Sequence, residues 1–235
     1  MIYYTADLHI GHTNVLRHCD RPFINVEDMN EALIRNWNAR INRLDTVYII
    51  GDLFFRNKVP AETYLSVMKG RKHLITGNHD SSWMKKTNWP VFFESVNAFQ
   101  TIKDSGRLIT MCHYPMMTWP GRDSYMVFGH IHNATAASFW PLIRDNPRML
   151  NAGVDVNSFM PVTLEELIEN NQRFKHDHPT ASTSQPQTSS QHALSQGIPQ
   201  VGERRSQADE RYPQGDERRQ MEGHPQREER PQRET

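Results

Sequence analysis

Cysteine is scarce in this 235-residue chain: Cys19 and Cys112 are the whole complement, too few for a disulfide framework. Cys112 ends an apolar run that reads as a core strand, so a reducing compartment, the cytoplasm, is expected. No apolar run reaches the ~18 residues of a membrane span, and no membrane partner is expected. With a candidate ligand at residue 7, no cleavable signal is expected ahead of the domain. An excess of charge of one sign is also missing, because 27 Lys and Arg balance 27 Asp and Glu. That leaves nucleic acid as a partner unsupported by charge.

From His176 to Thr235 the scarce residues are the large aliphatic ones, replaced by Gln, Arg, Glu, Pro and Ser. A segment of that composition cannot bury enough apolar area to offset its ordering entropy, so 176–235 is expected to be a disordered tail, with a partner the sequence does not name. Pro213-Gln214, Pro225-Gln226 and Pro231-Gln232 read as low-complexity expansion rather than as structural repeats. Residues 1–175 are apolar in periodic blocks, enough for one domain with its own core.

What the chain does have is a series of polar clusters in a fixed order: Asp7-Leu8-His9, Gly51-Asp52, Gly77-Asn78-His79-Asp80, His113 and Gly129-His130-Ile131-His132. Each follows a β-forming run: Ile2-Tyr3-Tyr4, Val47 to Ile50, His73 to Thr76, Leu108 to Met111, and Tyr125 to Phe128. Strands that end in carboxylate, carboxamide and imidazole pool these groups at one sheet edge. The residue types suit two divalent cations. A pair about 3.5–4 Å apart needs a shared anion, and Asp52 fits that post. Nitrogen and oxygen donors without thiolate point to Mn²⁺, Fe or Zn²⁺ rather than to a closed structural zinc site and do not choose among them; Mn²⁺ is the expected ion. The bland alternative is that Asp and His at strand ends only cap turns.

The series resembles the calcineurin-like metallophosphoesterase superfamily, whose DxH, GD, GNH with a following acid, H and GHxH pattern runs through residues 1 to about 170. The resemblance implies one metal on Asp7, His9, Asp52 and His132, and a second on Asp52, Asn78, His113 and His130. It implies that His79 gives a proton to the leaving oxygen with Asp80 orienting its ring, and that a metal-activated hydroxide attacks a phosphodiester or phosphomonoester. Phosphoprotein phosphatases of the superfamily extend the second motif to GDxxDR. Here Phe55 replaces the acid, Arg56 remains, and the third motif ends in Asp80 rather than Glu. The small bacterial and phage-type phosphodiesterase branch is the nearer likeness, through His12-Thr13-Asn14, Arg21-Pro22-Phe23 and His113-Tyr114-Pro115. A small phosphoester or nucleotide is the implied substrate; a nuclease and a non-catalytic scaffold are the rival readings.

Other residues keep two readings. His12 lines a substrate pocket or sits on a solvated loop; Arg56 faces phosphate or pairs with a surface carboxylate. Tyr114 and Trp119 stack a base or cover the core edge. Arg17 and Arg21 steer a second phosphate or end a helix, and His176-Asp177-His178 is a metal triplet or an unligated turn.

Met29, Leu33, Trp37 and Ile41 recur every four residues and predict a helix beginning near Asn25 to Glu27, a β-α-β crossover. Pro60 and Gly70 bracket a second helix. Asn97 to Lys103, the turn Asp104-Ser105-Gly106 and Arg107 to His113 predict a hairpin. Arg148 to Val156 reads as a late strand, and Pro161 as the start of a last helix. This ordering predicts a mixed α/β fold, two packed sheets flanked by helices in an αββα sandwich.

Overall fold

A computed structural model describes residues 1–56 and 58–179. The expected tail therefore lies outside the described residues beyond position 179. In chain order the elements are β1 (Ile2–Thr5), α1 (Val15–His18), α2 (Val26–Arg40), β2 (Thr46–Ile50), α3 (Ala61–Leu65), β3 (Arg71–Ile75), α4 (Asp80–Met84), β4 (Phe93–Asn97), β5 (Phe99–Asp104), β6 (Arg107–Cys112), β7 (Tyr125–Phe128), α5 (Trp140–Arg144), β8 (Met149–Asn151) and α6 (Leu164–Asp177).

Two four-stranded sheets result, ordered β1-β2-β3-β4 and β5-β6-β7-β8. The first is parallel throughout; in the second, β5 and β6 form the antiparallel hairpin and the remaining pairs are parallel. Period-two alternation sorts side chains between layers. Tyr3, Val47 and Ile49 pack outward with Met29, Leu33, Trp37 and Ile41, the stripe of α2. Their neighbours Tyr4, Tyr48 and Ile50 pack inward with Ile109, Met111 and Val127 of the other sheet. On the far side Met126 and Phe128 meet Trp140 and Ile143 of α5. The order helix, sheet, sheet, helix is the αββα sandwich.

Asn25 accepts from the Asp28 amide and starts α2 where the sequence places it. The hairpin turn puts Ser105 at φ 48° and Gly106 at φ 77°, the left-handed pair that a two-residue loop matched to strand twist requires. Three expectations need correction. The helix after Pro60 is one short turn, Ala61–Leu65. The late strand stops at Asn151, because the Asn151 side-chain oxygen accepts from the Gly153 amide and the chain passes to a single bridge between Gly153 and Ala6. The last helix begins at Leu164, not Pro161, because Thr163 and Glu166 form a reciprocal capping box there. It runs to Asp177, past the expected boundary at 175. Among the described residues no helix is long and apolar enough to cross a membrane.

Candidate metal centre

The strand ends β1, β2, β3, β6 and β7 each release a polar loop on the same side, and backbone hydrogen bonds lock the first two together. Asp7 donates its amide to the Gly51 carbonyl and His9 to the Asp52 carbonyl, both at 3.0 Å. Asp7, His9, Asp52, His130 and His132 all hold left-handed backbone, with φ of 55°, 51°, 55°, 71° and 50°. A non-glycine residue pays roughly 1–2 kcal/mol for that conformation. Five such residues among seven candidate ligands mark a place where the backbone is bent to aim side chains. Glycine supplies the clearance. A Cβ on Gly51, itself at φ 82°, would stand 2.3 Å from His113 Nδ1, and one on Gly77 would stand 2.3 Å from Asp52 Oδ1.

Asp52 is the hub. Its Oδ2 lies 3.5 Å from His9 Nε2, 3.4 Å from His113 Nε2 and 3.9 Å from His79 Nε2, while Oδ1 accepts from the His79 amide at 2.9 Å. Asp7 takes the His130 amide on both oxygens, at 3.0 and 2.9 Å. The Asn78 amide oxygen is 3.1 Å from His113 Nε2 and 3.2 Å from His130 Nδ1. All seven residues named from the sequence therefore gather at one edge. Asp7, His9 and His132 bring donor atoms within 4.8 Å of one another, as do Asp7, Asp52 and His113.

The charges show what is unsatisfied there. Burial raises the Asp7 carboxyl to about 6, against the lowering influence of His132 and His113. Burial also works to raise Asp52, but the hydrogen bond and charge of His113 overcome it and bring Asp52 to about 2. His113, disfavoured as a cation by burial, is raised to about 9 by Asp52 and Asp7. His9 falls well below the usual imidazole range through burial and the neighbouring His132. Neither of its buried ring nitrogens has a hydrogen-bond partner. A buried imidazole whose two nitrogens have no hydrogen-bond partner, facing two carboxylates, fits a cation-binding donor set.

The remaining candidates separate. His79 is partly exposed at the rim, its ring 5.4 Å from that of His9 and 4.5 Å edge-on from Phe55. Asp80 does not orient that ring. It is fully buried, and its oxygens accept from the amides of Gly77, Asp52 and Leu53 and from the Trp83 indole, at 2.8–3.0 Å. A carboxylate so filled binds the second motif loop to the third. His12 packs on Phe55 at 4.1 Å and borders a cavity of about 250 Å³ with Asn14, Phe55, Arg56, Lys58 and Tyr64. Arg56 is exposed over the Phe55 ring. Tyr114 lies at the site, 4.6 Å from His130, whereas Trp119 joins the third core cluster. Arg17 is exposed on α1. His176 bonds Asp177 and His178 bonds the Phe174 carbonyl, so the triplet closes a helix.

Asp155 escaped the sequence reading, and neither reading of Arg21 holds. Asp155, just past β8, hydrogen-bonds His132 Nδ1 at 2.9 Å, and Arg21 forks onto Asp155 at 2.7 and 3.0 Å. Arg21 is therefore neither a helix-end charge nor a phosphate ligand; it is 4 % exposed. Its spacing of 134 residues from Asp155 carries no local signal.

The calcineurin-like phosphoesterase family pattern matches residues 1–139. An uncharacterized protein of Methanocaldococcus jannaschii is 32% identical over 171 residues, 72% of this chain and 89% of that one. The Gene 66 protein of Mycobacterium phage D29 is 26% identical over 181 residues, 66% of this chain and 87% of the relative. A solved structure of a protein of unknown function from Aquifex aeolicus is similar in fold, with TM-score 0.56, 22% identity, and 72% of this chain and 98% of that one covered.

Proposed function

The chain belongs to the calcineurin-like phosphoesterase family, a family of hydrolases that use divalent metals, and from that premise we propose that it hydrolyses a phosphodiester with two Mn²⁺ ions. The observation that carries this reading is the gathering of seven residues with N and O donors at one edge, where His9 and His113 meet Asp52, His113 and His130 meet Asn78, and Asp7 lies near His9 and His132, with the His9 ring nitrogens buried and without a hydrogen-bond partner. Asp7, His9, Asp52 and His132 would hold one cation, and Asp52, Asn78, His113 and His130 the other. When bound, such cations polarise the ester and bring the pKa of water towards neutrality.

The chain's own groups do the rest. The His130 and His79 amides fix the two carboxylates, so the donor set is oriented before substrate arrives. His79 Nε2, at the rim, is the group that protonates the departing ester oxygen. Phe55 packs against the rings of His12 and His79. The diester preference rests on the likeness to the small bacterial and phage-type phosphodiesterase branch. Arg21 is committed to Asp155, and Arg56 and Lys58 are on the exposed rim. Both cysteines are free, which supports a cytoplasmic setting.

The test is a hydrolysis panel after chelation and return of Mn²⁺: a nitrophenyl monoester, a bis-nitrophenyl diester, cyclic nucleotides and single-stranded DNA. Diester turnover that depends on Mn²⁺ is expected. A faster monoester would overturn the diester assignment, preferential cleavage of DNA would make the chain a nuclease, and silence in every arm would favour a scaffold.

A further inference from the structure

We propose that Asp155 and Arg21 form a buried positioning pair for the centre, with Asp155 receiving the Nδ1 proton of His132 so that Nε2 is the atom presented to a cation. This rests on the reading of His132 as a ligand. Asp155 lies beyond residues 1–139, the span the family pattern matches.

The geometry is unusually complete. The side chains of Arg21 and Asp155 are 0% and 1% exposed. Asp155 uses Oδ1 for Arg21 Nε at 2.7 Å, and shares Oδ2 between Arg21 at 3.0 Å and His132 Nδ1 at 2.9 Å. The guanidinium then reaches the other way, donating to the Asp7 carbonyl at 2.7 Å and the Leu8 carbonyl at 2.9 Å. Met29 of α2 and the Phe159 ring enclose it. One side chain thus ties the left-handed Asp7-Leu8-His9 turn to the carboxylate that holds His132.

A buried ion pair is a weak source of stability, since desolvation offsets most of the attraction. What it supplies here is direction. An imidazole that coordinates through one nitrogen commonly gives its other N–H to a carboxylate, which fixes ring orientation and raises donor strength. His113 has the same arrangement in milder form, its Nδ1 lying 2.9 Å from the Ile50 carbonyl. The Cys19 thiol also falls within 4.8 Å of the His132 and Asp155 donor atoms. Cys19, His132 and Asp155 as a separate metal site is the competing assignment.

The test titrates Mn²⁺ calorimetrically into the metal-free full chain and into folded Asp155→Asn and Arg21→Lys variants. Two ions on the parent, and about 10–100-fold weaker binding of one of them in Asp155→Asn, are expected. Arg21→Lys should weaken the same ion, because an ammonium cannot span the carboxylate and two carbonyls as a guanidinium fork does. Unchanged affinities in both folded variants would overturn the pair alone, whereas no binding to the parent would overturn the metal reading with it. Should the variants fail to fold, ¹⁵N imidazole NMR of the Zn²⁺-loaded parent decides. A proton on His132 Nδ1 supports the proposal; a proton on Nε2, or a third bound ion that Cys19→Ser removes, overturns it.

Discussion

Asp7, His9 and Asp52 are at most 2 % exposed, whereas Asn78 and His130, gathered at the same sheet edge, face solvent. The buried side is built from the ends of β1, β2 and β6; backbone hydrogen bonds cross-tie the first two, and Arg21 ties the Asp7 turn to Asp155. The exposed side comes from loops after β3 and β7, with Tyr114 beside it. The contrast gives the centre a floor and a mouth. Burial strengthens electrostatics where the donor geometry must be fixed, and exposure leaves the other half open to solvent, the side from which the proposed ester would arrive.

Asp52 joins floor to mouth, so changing it should break the contrast outright. Asp52→Asn is expected to abolish turnover and reduce bound metal from two ions to one or none, read by metal analysis of the purified protein. A variant that keeps two ions and near-parent rates would remove Asp52 from the bridging post. His79 belongs to the mouth only. His79→Ala should keep both metals and lose about 10²–10⁴-fold in turnover, with a smaller loss for a nitrophenolate leaving group than for an alkoxide. Equal losses would make His79 a positioning group, and lost metal would make it a ligand.

Gly51 tests the floor's packing. Gly51→Ala places a methyl against His113 and should cost roughly 1–3 kcal/mol in urea unfolding, together with most activity. Gly106→Ala, also at positive φ but with nothing within 4 Å of the added atom, is the control and should leave activity intact. If both variants behave alike, the clearance at Gly51 is not what matters.

The smallest expected effect is a pH slope. In the metal-free chain burial disfavours the His132 cation, but Asp155, with Cys19 and Asp7, outweighs it and raises His132 to about 10. A raised basic group contributes stability that is full below about 6.5 and declines as pH rises through 10. Lys175, lowered to about 8 by burial, acts with opposite sign over 8 to 10.5. Its contribution cancels when parent and Asp155→Asn are compared. The melting temperature of the parent should therefore fall more steeply between pH 6.5 and 10 than that of the variant; parallel curves would mean that Asp155 does not hold the His132 proton.

Much of this molecule was legible before any coordinates, because its signals are local. Alternating apolar residues define β1, β2, β6 and β7, the four-residue stripe defines α2, and each motif directly follows its strand. Local capping was harder to weigh. Thr163 and Glu166 displaced the start expected at Pro161, and the Asn151 side chain cut the last strand short. Asp80 shows the limit of analogy: the family resemblance implied an orienting role, yet the carboxylate turned inward to three amides and an indole.

The sequence by itself determined which candidate side chains gather and which edge receives them, since strand direction and side-chain period leave few alternatives. Only the tertiary structure decided the depth of each ligand, the left-handed turns that aim them and the partnership of Arg21 with Asp155. Those depend on contacts between residues far apart in the chain, where burial and geometry act together and no local pattern records the pairing.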